Sequence, residues 1–271
     1  MPQVIVHAEH PPALTLDTDP QIELFQDQYP KQPKAPGTIR VLYLCEPPVI
    51  MRMHNKVRRR AHMFDYILTY DPWVLKRYSK AHKHVYGTCW VDSPPPEREF
   101  SISTVIGTKL ISKGHRLRHK FWRASTKIRN PLRLFFSRQF EEDGIPTPPG
   151  STMLGEDKSP VFRSRFHVAI ENCRMPDYFT EKIMDCFMTE AVPIYWGCTN
   201  IKKYFNPDGM IICKTLGSLI RACNRVTPET YENMRGAMAE NRERAEDYRH
   251  SDDRLAAKLQ ELVALHNQAK A

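Results

Sequence analysis

The sequence lacks any long apolar run. Of its 271 residues, 41% are hydrophobic and 26% are charged, which is ordinary for a globular protein. The longest apolar stretches have the length of a β-strand, so no transmembrane span is predicted. The first residues show no basic stretch followed by an apolar one, so no signal peptide is predicted. We therefore expect a cytoplasmic protein with one large or two modest domains.

Closely spaced cysteine pairs are also missing. The seven cysteines include no C-x-x-C pair, and their number is odd. They stand mostly in apolar or strand-like contexts. This pattern favours reduced, buried thiols over disulfide bonds or a zinc site.

Acidic residues are absent from residues 101–140, where lysine, arginine and histidine are dense. The whole chain carries a formal net charge of +9, so we expect an anionic partner. Nucleotide-sugar phosphates, an anionic membrane surface and nucleic acid all qualify. Basic residues interleaved with aromatics such as Phe121 and Trp122 can bind single-stranded nucleic acid, which supplies a non-enzymatic alternative.

A dense block of motifs occupies residues 166–210. Apolar runs at 166–170 and 192–196 predict two buried strands, and apolar residues at helical spacing predict a helix over 180–190. Such a βαβ unit binds ligands at the carboxyl ends of its strands. The polar residues that fall there are Glu171, Asn172, Tyr178, Thr180, Glu181 and Lys182.

Lys182 is unusual for its place in the predicted helix. A cation near a helix N-terminus opposes the helix dipole, whereas a lysine beside free backbone N–H groups suits a bound phosphate. Glu181 could accept hydrogen bonds from ribose hydroxyls. A solvated Glu–Lys pair is the alternative, and a lone T-E-K would favour it.

The string ENCRMPDYFTEKIMDCFMTEAVPIYWGCTNIKKYFNPDGMI resembles the signature of the α-1,3-fucosyltransferase family, glycosyltransferase family 10. The family pattern has Glu-Asn, a spacer, Tyr-x-Thr-Glu-Lys, a helix, a VPIYWG-type strand and an aromatic-Asn-Pro turn. The resemblance implies a GT-B fold, a GDP-fucose donor and inverting transfer to a glycan acceptor. The chain is more similar to soluble bacterial or viral forms than to membrane-anchored animal ones.

Glu46 is the predicted catalytic base. Residues 38–45 predict a buried strand, and Glu46 follows it in a chain stiffened by Pro47 and Pro48. This stretch resembles family members, in which a strand is followed by Glu-Ser-Pro and the Glu is the proposed base. Here Pro47 replaces the serine. A rim carboxylate that only ends the strand is the alternative.

Arg118 is the predicted donor-phosphate contact from the acid-free stretch. A turn over residues 107–114 opens a predicted helix, and Arg118 fits an R-x-x-aromatic-aromatic element that the family has after this strand. The resemblance implies that Arg118 and Lys182 neutralise the departing GDP, that Glu181 holds the ribose, and that Asn172 and Tyr178 line the donor pocket.

No metal and no tightly bound cofactor are expected beyond the donor substrate. The resemblance implies that two cations, Arg118 and Lys182, already serve the pyrophosphate. Asp17, Thr18 and Asp19 match the D-x-D that holds a metal in other glycosyltransferases only formally, because they lie in a polar turn.

The predicted architecture is α/β, since strands alternate with helices. The resemblance narrows it to two Rossmann-like domains facing a cleft. We expect a Pro-rich leader over 1–37, an acceptor-side domain over 38–96 and a donor-binding domain with terminal helices over 97–271, with the boundary at three prolines. A related transferase using another nucleotide sugar is the second hypothesis, because phosphate contacts do not read the sugar.

Overall fold

The chain divides into two compact units in the structure, a computed structural model that describes residues 4–14, 16–147 and 149–270. The first unit comprises Met1–Tyr86, Pro176–Tyr178 and His250–Ala271, and the second comprises Gly87–Met175 and Phe179–Arg249. Each unit is built around a parallel sheet. This confirms the α/β class predicted from the alternation of strands and helices.

The strands and helices follow the predicted alternation. The strands are β1 (Val4–His7), β2 (Ile22–Gln26), β3 (Ile39–Leu44), β4 (Tyr66–Thr69), β5 (Ala81–Lys83), β6 (Glu99–Ile106), β7 (Leu132–Ser137), β8 (Ser151–Leu154), β9 (Ser164–Ile170), β10 (Val192–Trp196) and β11 (Ile211–Ile212). The helices are α1 (Pro48–Met51), α2 (Met53–Arg60), α3 (Pro72–Arg77), α4 (Lys113–Arg123), α5 (Gln139–Glu142), α6 (Glu181–Met188), α7 (Leu216–Arg225), α8 (Pro228–Arg249) and α9 (Ser251–Gln268).

In the described part of the first unit, five parallel strands lie in the order β1-β2-β3-β4-β5. Every residue of β3 is buried, as expected for the central strand of a parallel sheet covered on both faces. Its one charged residue, Arg40, is paired with Glu23 of β2 at 2.6 Å. The strand therefore brings its carboxyl end, and Glu46 after it, to a fixed edge of the sheet.

The leader and the C-terminal helix both belong to the first unit. Within residues 1–37, β2 joins the sheet and buries Ile22 and Leu24 completely. Leu255, Leu259 and Leu262 lie on one face of α9 and pack into the same hydrophobic core. The compact units therefore differ from the predicted bounds 1–37, 38–96 and 97–271, because apolar faces from both ends of the sequence are buried together.

In the described part of the second unit, six parallel strands lie in the order β11-β10-β9-β6-β7-β8. β9 and β10 pair from Phe166 with Val192 to Ile170 with Trp196, so both strands end at the same edge. α6 connects them, which confirms the predicted βαβ unit. Sequence alone extended its helix over 180–190, whereas α6 ends at Met188 and Glu190 has a φ of 59°.

The long helices at the end of the chain are strongly charged or amphipathic. Among the described residues, no helix is both long and apolar enough to cross a membrane. All seven cysteines fall in the described ranges, and none of them forms a disulfide bond. Six are buried, as expected from their apolar contexts, and Cys89 is half-buried.

Candidate functional site

Glu171 ties the end of β9 to the start of α6. It is completely buried, and its backbone N–H donates to the Trp196 carbonyl at 2.9 Å. Its carboxylate accepts from the Thr180 backbone N–H at 3.0 Å and from the Thr180 hydroxyl at 2.7 Å. Burial raises the pKa of Glu171, while the nearby Lys182 ammonium acts in the opposite direction. These contacts give Glu171 a structural role at the edge of the sheet.

The Thr180-Glu181-Lys182 triplet forms the first turn of α6. Thr180 is the N-cap residue, and its hydroxyl accepts from the Lys182 backbone N–H at 3.4 Å. The Lys182 ammonium lies 2.5 Å from the Glu181 carboxylate. Burial alone would raise the pKa of Glu181, but the Lys182 charge outweighs it and the pKa is lowered. The pair explains how a lysine is tolerated at a helix N-terminus.

The Glu181–Lys182 pair is not a solvated surface pair. The Lys182 side chain retains 24% of its exposure and that of Glu181 only 10%. A cation held this way presents part of its charge to solvent beside the N–H groups of a helix start, which is where an anion binds.

Arg118 of α4 reaches the same edge of the sheet. Its guanidinium donates to the Ile170 carbonyl through Nε at 2.9 Å and through Nη2 at 2.6 Å. Nη2 also donates to the Asn172 side-chain oxygen at 2.8 Å. The structure therefore brings Arg118 and Asn172 together and fixes the plane of the guanidinium at the end of β9, while a contact of either residue with a donor stays a prediction.

Gly114 permits the close approach of α4 to this strand end. Its backbone N–H donates to the Asn172 carbonyl at 3.0 Å. A Cβ at this position would lie 1.8 Å from the Glu171 carbonyl oxygen, which no side chain can tolerate without moving the helix. Glycine at the start of α4 is therefore a condition for placing Arg118.

The other cationic candidates in α4 are engaged elsewhere. His115 forms a capping box with Ser112, and burial together with the Arg118 charge lowers the pKa of His115 to about 4. Arg116 donates to the carbonyls of Leu110 and Ile111, both at 3.0 Å. The choice of Arg118 over Arg116 as the donor contact stays a prediction.

Tyr178 belongs to the first unit, unlike the four other predicted donor residues. Residues 176–178 group with that unit, in which the buried Tyr178 ring packs against Tyr70 with centroids 5.3 Å apart. Arg118, Asn172, Glu181 and Lys182 all lie in the second unit. A role for Tyr178 at the donor remains a prediction.

Lys158 and Asp185 are charged residues of this region that sequence reasoning missed. The Lys158 ammonium lies 3.1 Å from the centroid of the exposed Trp90 ring. Burial lowers the pKa of Lys158, while Glu181 and Asp185 oppose the shift. The buried Asp185 carboxylate accepts from the Trp90 backbone N–H at 2.7 Å. Lys158 lies in a Pro- and Gly-rich connection with no periodic signal, whereas an acid on the apolar face of α6 could have identified Asp185.

An open hollow borders Lys158 in the second unit, with a volume of about 560 Å³. Its lining residues are Trp90, Val91, Asp92, Ser93, Glu156, Asp157, Lys158 and Ser159. Two of its carboxylates already have partners, because Asp92 pairs with Arg249 and Asp157 accepts from Ser159. The hollow therefore adds mainly an indole ring and one lysine to the surroundings of α6.

Glu46, in the first unit, is half-buried at the carboxyl end of β3. Its backbone N–H donates to the Asp27 carboxylate at 2.9 Å, and the His54 ring lies 3.0 Å from its carbonyl oxygen. His54 in turn lies 2.8 Å from the Asp71 carboxylate. Sequence reasoning singled out Glu46, whose role as a base stays a prediction, but neither Asp27 nor His54, because each of these comes from a different part of the chain.

Among the described residues, no group of three or more His, Cys, Asp or Glu side chains could hold a metal ion. Asp17 and Asp19 of the D-x-D triplet are both exposed, while Thr18 between them is buried. Among the described residues, the triplet therefore offers two carboxylates that belong to no larger group of His, Cys, Asp or Glu side chains able to hold a metal ion.

A model of glycosyltransferase family 10 (fucosyltransferase), C-terminal part, matches residues 153–224. This stretch contains β9, α6 and β10 together with Asn172, Glu181 and Lys182. This stretch is therefore similar to glycosyltransferase family 10. The chain is also 38% identical over 47 residues to the Helicobacter pylori protein Alpha-(1,3)-fucosyltransferase FucT. That match spans 17% of this chain and 10% of the curated relative.

Solved structures share the fold of this chain. An α1,3-fucosyltransferase crystallised with GDP-fucose gives a TM-score of 0.51 at 18% identity, covering 80% of this chain and 69% of its own. TarM gives a TM-score of 0.56 at 7% identity, covering 89% of this chain and 54% of its own. The two parallel-sheet domains therefore form the GT-B fold that the resemblance implied.

Proposed function

We propose that this protein is an inverting glycosyltransferase that transfers L-fucose from GDP-fucose to a glycan hydroxyl. The observation that carries the proposal is the cationic strand edge of the second unit. There, Arg118 is held at the end of β9, and Lys182 projects from the first turn of α6 within the family 10 segment. The solved α1,3-fucosyltransferase with the same fold was crystallised with GDP-fucose, which supports the choice of donor.

In the proposed reaction the acceptor hydroxyl oxygen attacks the anomeric carbon of the fucose, and Glu46 takes the hydroxyl proton. The bond from the anomeric carbon to the phosphate oxygen breaks, and its electron pair leaves with GDP. Arg118 and Lys182 neutralise the charge that builds on the departing phosphate, which is commonly the largest electrostatic contribution to such a step. Attack opposite the leaving group inverts the anomeric centre.

The remaining predicted residues bind the donor in this proposal. Glu181 accepts hydrogen bonds from the ribose hydroxyls, since Lys182 keeps it ionised. Asn172 and Tyr178 line the donor pocket. Because Arg118 and Lys182 already oppose the pyrophosphate charge, we expect transfer to continue in the presence of a chelator.

The test is turnover of a panel of nucleotide sugars, with and without simple glycan acceptors. We expect turnover of GDP-fucose with GDP as the product. If only a different donor is turned over, the glycosyltransferase assignment stands and the assignment of fucose as the sugar is rejected. Arg118, Glu181 and Lys182 serve the phosphates and the ribose, so they do not determine the sugar.

Thermal protection separates these possibilities from the nucleic-acid alternative. We expect GDP to raise the unfolding temperature and single-stranded oligonucleotides to leave it unchanged. Protection by oligonucleotides without protection by GDP would instead favour the basic segment over residues 101–140 as a nucleic-acid surface.

A further inference from the structure

We infer that Asp27 and His54 are positioning residues that hold the main chain of Glu46 from its two sides, and that transfer through Glu46 depends on them. The inference rests on the proposed function, because it concerns the residue proposed as the base. Both residues lie in the first unit with Glu46. Neither residue was singled out by the sequence.

Asp27 holds the amide side of Glu46. Its carboxylate is buried, and its two oxygens accept from consecutive backbone N–H groups, Cys45 at 3.1 Å and Glu46 at 2.9 Å. Its own N–H donates to the Tyr43 carbonyl at 2.9 Å. Asp27 adopts a φ of 50°, a left-handed conformation that is uncommon outside glycine but tolerated by aspartate.

His54 holds the carbonyl side of Glu46. Its ring is buried in α2, with Nε2 3.0 Å from the Glu46 carbonyl oxygen and Nδ1 2.8 Å from the Asp71 carboxylate. The His54 ring thus links the Glu46 carbonyl to the Asp71 carboxylate. Burial alone would raise the pKa of Asp71, but the hydrogen bond from His54 outweighs it and lowers this pKa.

The position of Glu46 needs such external support. It lies beyond Cys45, after the end of β3 at Leu44, and the next two residues, Pro47 and Pro48, have no backbone N–H to donate. Asp27 and His54 supply hydrogen bonds to both sides of Glu46 from two separate elements. A displacement of a reacting group by about 1 Å can cost on the order of 100-fold in rate, so a loosened main chain would lower turnover.

Asp65 provides a matched control for Asp27. It lies in the same unit, and its carboxylate accepts from the Arg40 N–H at 2.7 Å, at the opposite end of β3. Replacing Asp65 removes a carboxylate that binds a backbone N–H of β3, and replacing Asp27 removes one that binds the backbone N–H groups just after β3. Only Asp27 contacts Glu46.

The test compares Asp27→Asn, His54→Gln and Asp65→Asn with the wild type. We expect kcat to fall by about 10- to 100-fold in the first two variants, with the Kd for GDP unchanged because the donor residues lie in the second unit. Asp65→Asn should lower the unfolding temperature but keep kcat within about twofold. Equal kcat losses in Asp27→Asn and Asp65→Asn, or none in Asp27→Asn and His54→Gln, would overturn the inference.

A double substitution separates positioning from general destabilisation. A residue that acts through Glu46 loses its effect once Glu46 is removed. We therefore expect Asp27→Asn to leave the residual turnover of Glu46→Ala unchanged, whereas a further loss would overturn the inference. If the wild type turns over GDP-fucose and Asp27→Asn does so equally fast, only positioning fails. Absence of wild-type turnover with any nucleotide sugar would reject the proposed function itself.

Discussion

Two glutamates follow central strands of the two sheets, and their surroundings differ sharply. Glu171 follows β9, is completely buried, and has both carboxylate oxygens bonded to Thr180. Glu46 follows β3 and is half-buried, and the contacts from Asp27 and His54 reach its main chain. The same residue type at the same place in a parallel sheet therefore supports structure in one unit and, in our proposal, chemistry in the other.

The largest expected effect is a loss of turnover when Glu46, but not Glu171, is the residue that acts as the base. Replacing Glu46 with alanine should lower kcat by about 100- to 10,000-fold, the usual range for a general base. The Kd for GDP should stay unchanged, as measured by calorimetry. Loss of GDP affinity in Glu46→Ala would count against its role as a base and would remove the contrast with Glu171.

Lys182→Ala should have the next largest effect and should act on the donor. It removes the ammonium that faces the proposed phosphate site, and it leaves the Glu181 carboxylate buried without its partner. We expect a loss of GDP affinity of at least about 10- to 100-fold, since hydrogen bonds to charged groups contribute about 1.5–3 kcal/mol. Lys202→Ala, which removes an exposed lysine of the same unit, is the control and should bind GDP normally.

Glu171→Ala should lower stability. The change leaves the Thr180 N–H and hydroxyl without their acceptor inside the protein, which costs about 1–3 kcal/mol. A lower denaturation midpoint is the expected result, while Glu46→Ala should leave the midpoint near that of the wild type. A stable Glu171→Ala protein that had lost only its turnover would invert the comparison between the two residues.

A pair of glycine substitutions tests the packing behind Glu171. Gly114→Ala places a Cβ 1.8 Å from the Glu171 carbonyl oxygen. We expect a loss of about 1–3 kcal/mol as α4 shifts, with weaker GDP binding because Arg118 moves with it. Gly236→Ala lies in α8, where the new Cβ meets no described atom within 4 Å apart from its own helix backbone and chain neighbours, and should add up to about 1 kcal/mol to the free energy of unfolding. Equal effects of the two changes would argue against the close approach.

A last expected effect concerns pH and sharpens the account of Glu46. Burial, reinforced by the Glu46 charge and opposed by the backbone hydrogen bonds, raises the pKa of Asp27 from 3.8 to about 7. Because the folded state holds this proton more tightly, the protonated group stabilises the protein below about pH 4, and that contribution disappears as the pH rises to about 7. The wild type should therefore lose stability relative to Asp27→Asn as the pH rises over this range, and thermal unfolding at several pH values can measure the loss. A constant difference would contradict the raised pKa.

The parts of the molecule that follow from local pattern could be predicted from sequence. The strands and helix around Glu171 have clear periodicity, Thr180 and Lys182 lie in one short motif, and Glu46 lies between an apolar run and two prolines. The prediction that β9, α6 and β10 form one βαβ unit is confirmed, because these elements are adjacent in the chain and each carries its own pattern.

The missed features depend on long-range contacts. Asp27 and His54 meet at Glu46 from different elements, and no local spacing encodes that meeting. β2 was hidden among the prolines and polar residues of the leader, although Ile22 and Leu24 alternate as a strand requires. The grouping of Tyr178 with the first unit likewise depends on packing against Tyr70, which lies far away in sequence.

The packing of α9 has a consequence for the order in which the protein can be made. The core of the first unit needs Leu255, Leu259 and Leu262, whereas its strands β1–β5 are complete by Lys83. During synthesis the strands of the first sheet therefore leave the ribosome well before the helix that covers them, with the whole of the second unit's sequence in between. The second unit, assembled from residues 87–249 apart from 176–178, can bury its core earlier. The unit that presents Glu46 is thus the later one to be completed, and nascent chains stalled before α9 would expose its apolar sheet face.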